Sequence, residues 1–436
     1  MDQRDNMTTG VDRLRSRMRK IFAGVVVVAL PAAALIFAGA AKAAGPTCNV
    51  PTDYATIQLA VTAPGCGTIN VAPGAYAENL VINRTVTLNG AQAGIDARTR
   101  SGSESIINGA AAANITINAD GVTVDGFTIN GPVSQGAAAI VMMGGNTGET
   151  IQNNIINNPG RAASFNTSTT VFSKNLVNNN FATAGDGFQA NSSPVHDVTI
   201  SDNTFGGANG QNYNADITII EGKSNVSVSG NASNRDGTLI ALFKTNVAHI
   251  TNNNVIGDGL SSAIYIGGAD SNVTVSGNTV SSAGSAVKVA DDFGVGPNSS
   301  VTITGNNLHN NTAGVKVGAT AVTSAGAVVA NRNSLTGNSG FGVNNLSSFN
   351  ADATCNWWGV ANGPGPVGPG SGDKVSTNVT FAPWLISSNV NGACIGGNVA
   401  TNKDQCKEDG WQTRTRADGT TFKNQGDCIQ YVNTGK

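Results

Sequence analysis

Residues 273–280 read VTVSGNTV, and the same phrase returns as VTISDNTF at 198–205 and VTITGNNL at 301–308. Its form is apolar-x-apolar-x-(Gly/Asn/Asp)-Asn-x-apolar, and its anchor asparagines follow one another in steps of 21 to 28 residues. The anchors assigned from this pattern are Asn154, Asn175, Asn203, Asn231, Asn254, Asn278, Asn306, Asn333 and Asn356. Such a period, with apolar residues at alternate positions, is typical of a solenoid whose coils each bury one face on the next. The pattern predicts an all-β chain, a parallel β-helix.

The composition agrees with this fold and limits the classes of function. Charged residues make up only 12% of the chain, while glycine occurs 55 times, as turns between short strands require. With 40% hydrophobic residues, the chain does not have the low hydrophobicity of a disordered tract. The formal net charge of −2 points neither to nucleic acid nor to an anionic membrane as a partner.

The N-terminus carries the features of an export signal. Basic residues between Arg13 and Lys20 precede an apolar run over 21–41, and Ala-Lys-Ala at 41–43 fits the small-x-small rule for cleavage. The sequence therefore predicts a signal peptide over 1–43 and a secreted or cell-surface protein with no membrane association after cleavage. The length of the apolar run leaves an uncleaved membrane anchor as the alternative.

Six cysteines in an exported chain indicate disulfides rather than metal ligands. They fall in three groups along the sequence: Cys48 and Cys66, Cys355 and Cys394, and Cys406 and Cys428. Six cysteines permit fifteen pairings, and pairing of nearest neighbours is our expectation.

The first residues after the signal predict a cover for the open end of the solenoid. Thr52-Asp53-Tyr54 followed by 55–61 has the pattern of a short capped helix, and residues 67–78 read GTINVAPGAYAE. Residues 54–78 resemble the opening of bacterial right-handed parallel β-helix proteins, the pectate-lyase-like, carbohydrate-associated superfamily. That opening reads Y-x-T-I-Q-x-A-V and then G-x-T-I-x-V-x-P-G-x-Y-x-E. The resemblance implies a right-handed parallel β-helix, in a superfamily whose members with and without enzymatic activity share this opening.

The end of the solenoid carries a second point of resemblance. Residues 355–359 read CNWWG, with GPGP following at 363–366, which resembles the N-W-W-G…G-P ending of these proteins. We interpret Trp357 and Trp358 as a hydrophobic lid over the last coil, with sugar stacking as the alternative. The predicted organisation is a signal peptide at 1–43, an N-terminal cap at 44–66, a β-helix at 67–397 and a small disulfide-containing tail at 398–436.

A second strand is predicted about ten residues beyond each anchor. Alternation of side chains along these strands directs Gln189, Thr218, Tyr265, Lys288 and Lys316 outward. Because coils stack about 4.8 Å apart, Tyr265, Lys288 and Lys316 should form one column. An aromatic face with two cations suits an acidic polysaccharide, so these three are predicted ligand-binding residues. An ordinary solvated sheet face is the alternative.

Aspartates precede the same strands and form a candidate catalytic column. They are Asp186, Asp216, Asp236 and Asp258. Glycoside hydrolysis generally uses two carboxylates, about 5–5.5 Å apart in retaining enzymes and about 6.5–9.5 Å apart in inverting ones. The same oxygens are suitable ligands for Ca²⁺ in a lyase that acidifies a uronate proton. Asp-Gly is also favoured turn chemistry, which makes a purely structural role the alternative.

The catalytic motifs of related enzyme classes are mostly missing. Polygalacturonases carry Gly-His-Gly and Arg-Ile-Lys blocks that this chain lacks, and only Asp186-Gly187-Phe188 and Asp291-Asp292 echo their aspartate blocks. We therefore expect a protein that binds or processes extracellular polysaccharide, without an identified protein partner. The alternatives are a non-catalytic structural or adhesive rod, and a lyase or hydrolase that uses the aspartate column.

Overall fold

The computed structural model of the protein describes residues 45–110, 113–132, 137–157, 160–178, 187–190, 194–206, 215–234, 237–396, 399–416 and 420–435. The predicted signal peptide lies outside these residues, as do Asp186 and Asp236. In the described ranges, no helix has the length and apolar character needed to cross a membrane.

The prediction of a parallel β-helix is confirmed. Three short strands follow one another in each coil, and each pairs in parallel with the corresponding strand of the next coil, which builds three long sheets. Sheet A contains Thr47–Val50, Thr68–Val71, Thr87–Asn89, Thr123–Asp125, Thr150–Gln152, Val171–Ser173, Val195–Ser201, Gly222–Ser229, Asn246–Thr251, Ser271–Ser276, Ser299–Thr304, Val328–Asn331, Ala351–Asp352 and Val379–Thr380. Sheet B contains Gly74–Tyr76, Ser105–Ile107, Thr128–Asn130, Ile155–Asn157, Leu176–Asn178, Thr204–Gly206, Ala232–Asn234, Asn254–Ile256, Thr279–Ser281, Asn307–His309 and Ser334–Thr336. Sheet C contains Leu80–Ile82, Ile115–Ile117, Ile140–Met142, Ala163–Phe165, Phe188–Ala190, Ile217–Ile220, Ile240–Phe243, Ser262–Ile266, Ser285–Val289, Ala313–Val317, Phe341–Asn345, Pro364–Pro366 and Gly372–Val375.

The repeated phrase is the corner between sheets A and B. The residue before each anchor turns the chain in the left-handed region, as at Asp202 with φ 55° and Gly277 with φ 66°. Glycine, asparagine and aspartate adopt this conformation at the lowest cost, which explains their position in the phrase. The next residue is an asparagine whose side chain points inward and bonds to the asparagine one coil away. The members of this ladder are Asn154, Asn175, Asn203, Asn231, Asn253, Asn278, Asn306, Asn333 and Asn356.

One anchor assigned from the sequence is wrong. The ladder member in its coil is Asn253, which is buried, whereas Asn254 is exposed and begins the sheet B strand Asn254–Ile256. The left-handed residue is Asn252, with φ 55°, and the ladder residue follows it directly. Three consecutive asparagines concealed this register in the sequence.

The interior of the coils is one continuous apolar core. Isoleucine, valine and leucine fill most inward positions, and each coil places them over the same positions of the previous coil. The largest side chains include Phe165, Phe172 and Phe188, whose ring centroids lie 4.0 Å apart for Phe165–Phe188 and 4.9 Å apart for Phe172–Phe188. Stacking of like side chains accounts for the short apolar-x-apolar strands seen in the sequence.

The N-terminal end is covered as predicted, although the helix starts two residues later than expected. Helix α1 spans Ile57–Thr62, with Thr56 as its N-cap. The carboxylate of Glu78 accepts the backbone N–H groups of Ile57 at 2.9 Å and Gln58 at 2.8 Å. A carboxylate at a helix N-terminus satisfies free N–H groups and matches the helix dipole. This contact gives Glu78, the last residue of the GAYAE motif, a structural role.

All three expected disulfides are present: Cys48–Cys66, Cys355–Cys394 and Cys406–Cys428. At the C-terminal end of the solenoid, Trp358 is fully buried in the core, as a lid over the last coil requires, whereas Trp357 is only partly buried. Trp384, which was not singled out from the sequence, is also nearly fully buried there. Trp384–Leu385 then pairs antiparallel with Cys394–Gly396.

The tail has a small core of its own. It contains two 3₁₀ turns, Lys403–Cys406 and Gly410–Thr413, and helix α2, Gln425–Thr434. Its buried cluster consists of Ala400, Cys406, Phe422 and Cys428. So few buried side chains supply little hydrophobic stabilisation, which makes the disulfide important for this segment.

Candidate functional site

A groove of about 520 Å³ runs along the corner between sheets B and C. Turns from four successive coils line it, so it crosses three coil spacings, or about 14 Å, parallel to the solenoid axis. Exposed polar side chains on its walls include those of Ser282, Asn310, Thr312 and Ser339, and Ile256 supplies apolar surface. Its shape and lining suit an extended ligand that carries many hydroxyl groups.

The floor of the groove is rigid. Asn311 lies on it and begins a second, shorter asparagine ladder, because its side-chain N–H₂ donates to Asn338 Oδ1 at 3.1 Å. Asn338 in turn donates to Asp373 Oδ2 at 2.7 Å, and Asp373 also accepts the backbone N–H groups of Gly337 and Asn338. Burial raises the pKa of Asp373, and these donated hydrogen bonds partly oppose the increase. The fully bonded floor holds the exposed wall residues in fixed positions.

The outer face of sheet C carries the predicted ligand-binding column. Tyr265 pairs in register with Lys288, and Lys288 pairs in register with Lys316. The register continues to Asn344 on one side and to Ala241, Thr218 and Gln189 on the other. Gln189 and Thr218 are buried, whereas Tyr265, Lys288 and Lys316 are partly exposed. The accessible part of the column therefore begins at Tyr265.

The two lysines of this column differ in their surroundings. Lys288 Nζ lies 2.5 Å from Asp292 Oδ2 and 5.5 Å from the centroid of the Tyr265 ring. The Tyr265 hydroxyl donates to the same Asp292 oxygen at 3.1 Å. Within the described part of the chain, the Lys316 ammonium has no hydrogen bond or ion pair. Lys316 is therefore a cation available to a ligand, while Lys288 already binds a carboxylate.

That carboxylate belongs to the 290–298 loop, which connects the sheet C strand Ser285–Val289 to the sheet A strand Ser299–Thr304. Phe293 of the loop packs its ring against Phe243 and Tyr265, with centroids 5.7 Å and 6.3 Å apart. The rings of Phe243 and Tyr265 lie against Gly267, where a Cβ atom would be only 2.3 Å from Phe243 Cε1. Burial, followed by the charge of Asp292, raises the pKa of Tyr265, so its hydroxyl keeps the proton that it donates.

The structure does not bring Asp216 and Asp258 of the predicted catalytic column together as a pair. Asp216 directly precedes Ile217–Ile220, is fully buried and accepts a hydrogen bond from Ser233 Oγ at 2.5 Å. Asp258 lines the groove two strands further along sheet C, or roughly 10 Å away by strand spacing. The carboxylate of Asp258 accepts Leu260 N–H, Ser261 N–H and Ser261 Oγ–H, an arrangement that closes a turn. Because Asp186 and Asp236 lie outside the described residues, the catalytic role of the column remains a prediction.

In the part of the chain that the structure describes, no group of three or more His, Cys, Asp or Glu side chains is arranged so that it could hold a metal ion. Calcium binding by the complete aspartate column also remains a prediction.

Two other buried carboxylates have a shifted pKa. Burial raises the pKa of Glu149 to about 7 and that of Asp270 to about 7. Asp270 accepts the backbone N–H groups of Thr245 and Gly268, which is a structural role.

Several residues of the site were not identified from the sequence. In the sequence, Asp291-Asp292 was noted only for its similarity to an aspartate block of polygalacturonases. In the structure, Asp292 binds Lys288, and Asp291 accepts hydrogen bonds from the N–H groups of Val295 and Gly296. The sequence feature that could have identified these two residues is the length of their connection, which spans 290–298, whereas the corresponding connection in the preceding coil spans only 267–270. The groove had a weaker signal, namely polar residues in successive turns between sheets B and C.

Comparisons with known proteins identify similar coils. The Streptococcus pneumoniae surface protein and adhesin PfbA is 14% identical, with 69% of this chain and 91% of that chain covered and a TM-score of 0.45. The DFA-IIIase of Arthrobacter chlorophenolicus A6 without its lid is 13% identical, with 67% and 84% covered and a TM-score of 0.40. The A-module of the Azotobacter vinelandii mannuronan C-5 epimerase AlgE6 is 14% identical, with 76% and 93% covered and a TM-score of 0.37. No protein-family model matches the chain, and no curated protein sequence matches it. At these identities and TM-scores, no activity is transferred to this chain.

Proposed function

We propose that the protein is exported and binds an extended extracellular polysaccharide along the solenoid axis. The observation that carries the proposal is the groove between sheets B and C, which crosses successive coils and presents a polar group at each step. A polymer with a repeated unit gains affinity from a site that repeats in the same direction. The rigid ladder beneath the groove limits the entropy that the protein loses on binding.

The chemistry of the lining supports a saccharide rather than a peptide or a nucleic acid. Hydroxyl and amide groups on Ser282, Asn310, Thr312 and Ser339 both donate and accept hydrogen bonds, as sugar hydroxyls do. Lys316 lies four residues beyond Thr312, on the sheet that begins at the edge of the groove. The residues of the groove include no cluster of cations of the kind that binds a phosphate backbone.

The test is a binding screen of the full mature chain against soluble neutral and acidic glycans. Thr312→Trp places a large side chain in the groove at an exposed position, and we expect it to reduce binding at least tenfold. Thr302→Trp is the matched control, because it adds the same side chain to the outer face of sheet A. Retained binding by Thr312→Trp, or equal loss in both variants, contradicts the groove proposal.

The same screen distinguishes the rival functions. Failure of the wild-type protein to bind any glycan favours a structural or adhesive rod. Release of reducing ends, or the ultraviolet absorbance of unsaturated products, during incubation shows processing instead of binding alone. Loss of that turnover in Asp258→Asn, the described member of the aspartate column that lines the groove, would assign it to the column, provided that the variant keeps its thermal stability.

A further inference from the structure

The outer face of sheet C already binds a carboxylate. Asp292 Oδ2 lies 2.5 Å from Lys288 Nζ and 3.1 Å from the Tyr265 hydroxyl, so one oxygen receives a charged donor and a neutral donor. Charge-assisted hydrogen bonds of this type are the stronger ones, and two convergent donors fix the position of the acceptor. Lys288 and Tyr265 thus form a carboxylate subsite, defined here as these two donors and the space between them.

The group that occupies this subsite comes from a loop rather than from the sheet. Asp292 belongs to the 290–298 loop, and its side chain remains 46% exposed. Phe293 is the next residue, and its ring covers Tyr265 from the same loop. Gly294 and Gly296 follow with φ of 66° and 136°, conformations in which glycine turns the chain without steric cost. The contact is therefore made by two consecutive side chains beside two glycines.

The ion pair between Lys288 and Asp292 adds only a modest free energy to the contacts that hold the loop in place. Lys288 and Asp292 are both partly exposed, and ion pairs at exposed sites contribute little free energy because water and salt compete with them. A carboxylate on a polymer that also contacts Lys316 or the groove has additional contacts that Asp292 lacks. Such a ligand can replace Asp292 on Lys288 and Tyr265 without leaving either donor unpaired.

We propose that Asp292 is an internal competitor for a carboxylate-bearing polysaccharide, and that such a ligand binds at Lys288 and Tyr265 by displacing the 290–298 loop. This inference rests on the proposed function and deepens it, because it names acidic sugar units as the ligand class. A ligand must therefore bind Lys288 and Tyr265 more favourably than Asp292 does. A single carboxylate has little more binding free energy than Asp292, whereas a polymer that also contacts Lys316 has enough to displace it.

The first experiment compares wild type and Asp292→Asn in binding to polygalacturonate, with fully methyl-esterified polygalacturonate as the uncharged probe. We expect Asp292→Asn to bind polygalacturonate about fivefold more tightly, with a steeper loss of affinity as salt is added, and the esterified probe to show no gain. Asp404→Asn is the control, because it removes the same charge from an exposed pair in the tail. Equal or weaker binding of polygalacturonate by Asp292→Asn overturns the inference.

A second measurement follows the loop itself by amide hydrogen exchange. The N–H groups of Val295 and Gly296 donate to Asp291 at 2.6 Å and 3.0 Å, which should slow their exchange in the free protein. Saturating polygalacturonate should accelerate exchange across 290–298, and unchanged or slower exchange there overturns the displacement. If neither wild type nor Asp292→Asn binds any glycan, the proposed function fails as well. If both bind equally, only the competitor role fails.

Discussion

Asn278 Oδ1 accepts hydrogen bonds from both the backbone N–H and the side-chain N–H₂ of Asn253, each at 2.9 Å. Asn253 itself donates to the carbonyl of Val228 one coil back, and its Oδ1 accepts from Asn231. Every polar atom of the Asn253 side chain therefore has a partner inside the solenoid. The ladder supplies hydrogen bonds to the corner backbone, which has no strand partner at this point.

The first prediction compares two neighbouring asparagines. Asn253→Ala removes the acceptor of the backbone and side-chain N–H groups of Asn231, and it removes the side-chain donor to Asn278 Oδ1 and to the Val228 carbonyl. The backbone N–H of Asn231 is then left without a partner in a buried environment, while Asn278 Oδ1 keeps only the backbone N–H of residue 253. Each unsatisfied buried group costs about 1–3 kcal/mol, so the free energy of unfolding should fall by about 3 kcal/mol or more. Asn254→Ala removes an exposed side chain and should stay within about 0.5 kcal/mol of wild type. Urea denaturation measures both, and equal effects would contradict the ladder assignment.

Asn253 and Asn254 also show how much of the fold can be predicted from the sequence. The period, the left-handed residue and the inward asparagine can all be read from residues 198–205 or 273–280, because each is a local requirement of one corner. Where Asn252, Asn253 and Asn254 follow one another, composition no longer distinguishes the three roles. Only the pairing of Asn253 with Asn231 and Asn278 does so.

The candidate site was less predictable, for a different physical reason. Counting from the anchors places Tyr265, Lys288 and Lys316 in one column, because strand register propagates from coil to coil. The contact of Asp292 and Phe293 with this column depends on how a nine-residue connection folds back over the sheet. No periodicity in the sequence encodes that path, since loops are determined by their tertiary contacts.

The second prediction concerns Lys316. Its ammonium has no partner among the described residues and lies beside Lys288, and like charges in directly opposed strand positions repel each other. Lys316→Ala should therefore leave the free energy of unfolding unchanged or raise it by about 0.5 kcal/mol. The same variant should weaken binding of polygalacturonate and flatten its salt dependence. Thermal unfolding and fluorescence anisotropy at two salt concentrations check the two parts, and undiminished affinity would exclude Lys316 from the site.

The third prediction uses Glu149, which is fully buried and whose carboxylate oxygens have no hydrogen bond of normal geometry in the structure. Burial raises the pKa of Glu149 to about 7 from its ordinary value of 4.5. The folded state therefore holds the proton more tightly than the unfolded state. Its contribution to stability is fully present below about pH 4.5 and is lost as the pH rises through 7. The loss is on the order of 3 kcal/mol.

Glu149→Gln removes the ionisable group and keeps the shape of the side chain. The difference in free energy of unfolding between this variant and wild type should shift in favour of the variant between pH 5 and pH 8. Asp270, whose pKa is also raised to about 7 by burial, contributes in the same direction but is common to both proteins. Glu221→Gln is the control, because Glu221 is partly exposed and pairs with Lys244. A difference that does not change with pH would show that Glu149 is solvated in solution.

The fourth prediction is that the tail unfolds independently when its disulfide is lost. Its buried cluster of Ala400, Cys406, Phe422 and Cys428 is separate from the core of the solenoid, and the Cys406–Cys428 bond closes a span of 22 residues. A disulfide of this span stabilises by about 3 kcal/mol, which is large for so small a core. In the double variant Cys406→Ala, Cys428→Ala, we expect limited proteolysis to remove the tail rapidly. The remaining fragment should keep the main unfolding transition of wild type, because its ladders, its core and its other two disulfides are intact. A lowered main transition would instead show that the tail and the solenoid stabilise each other.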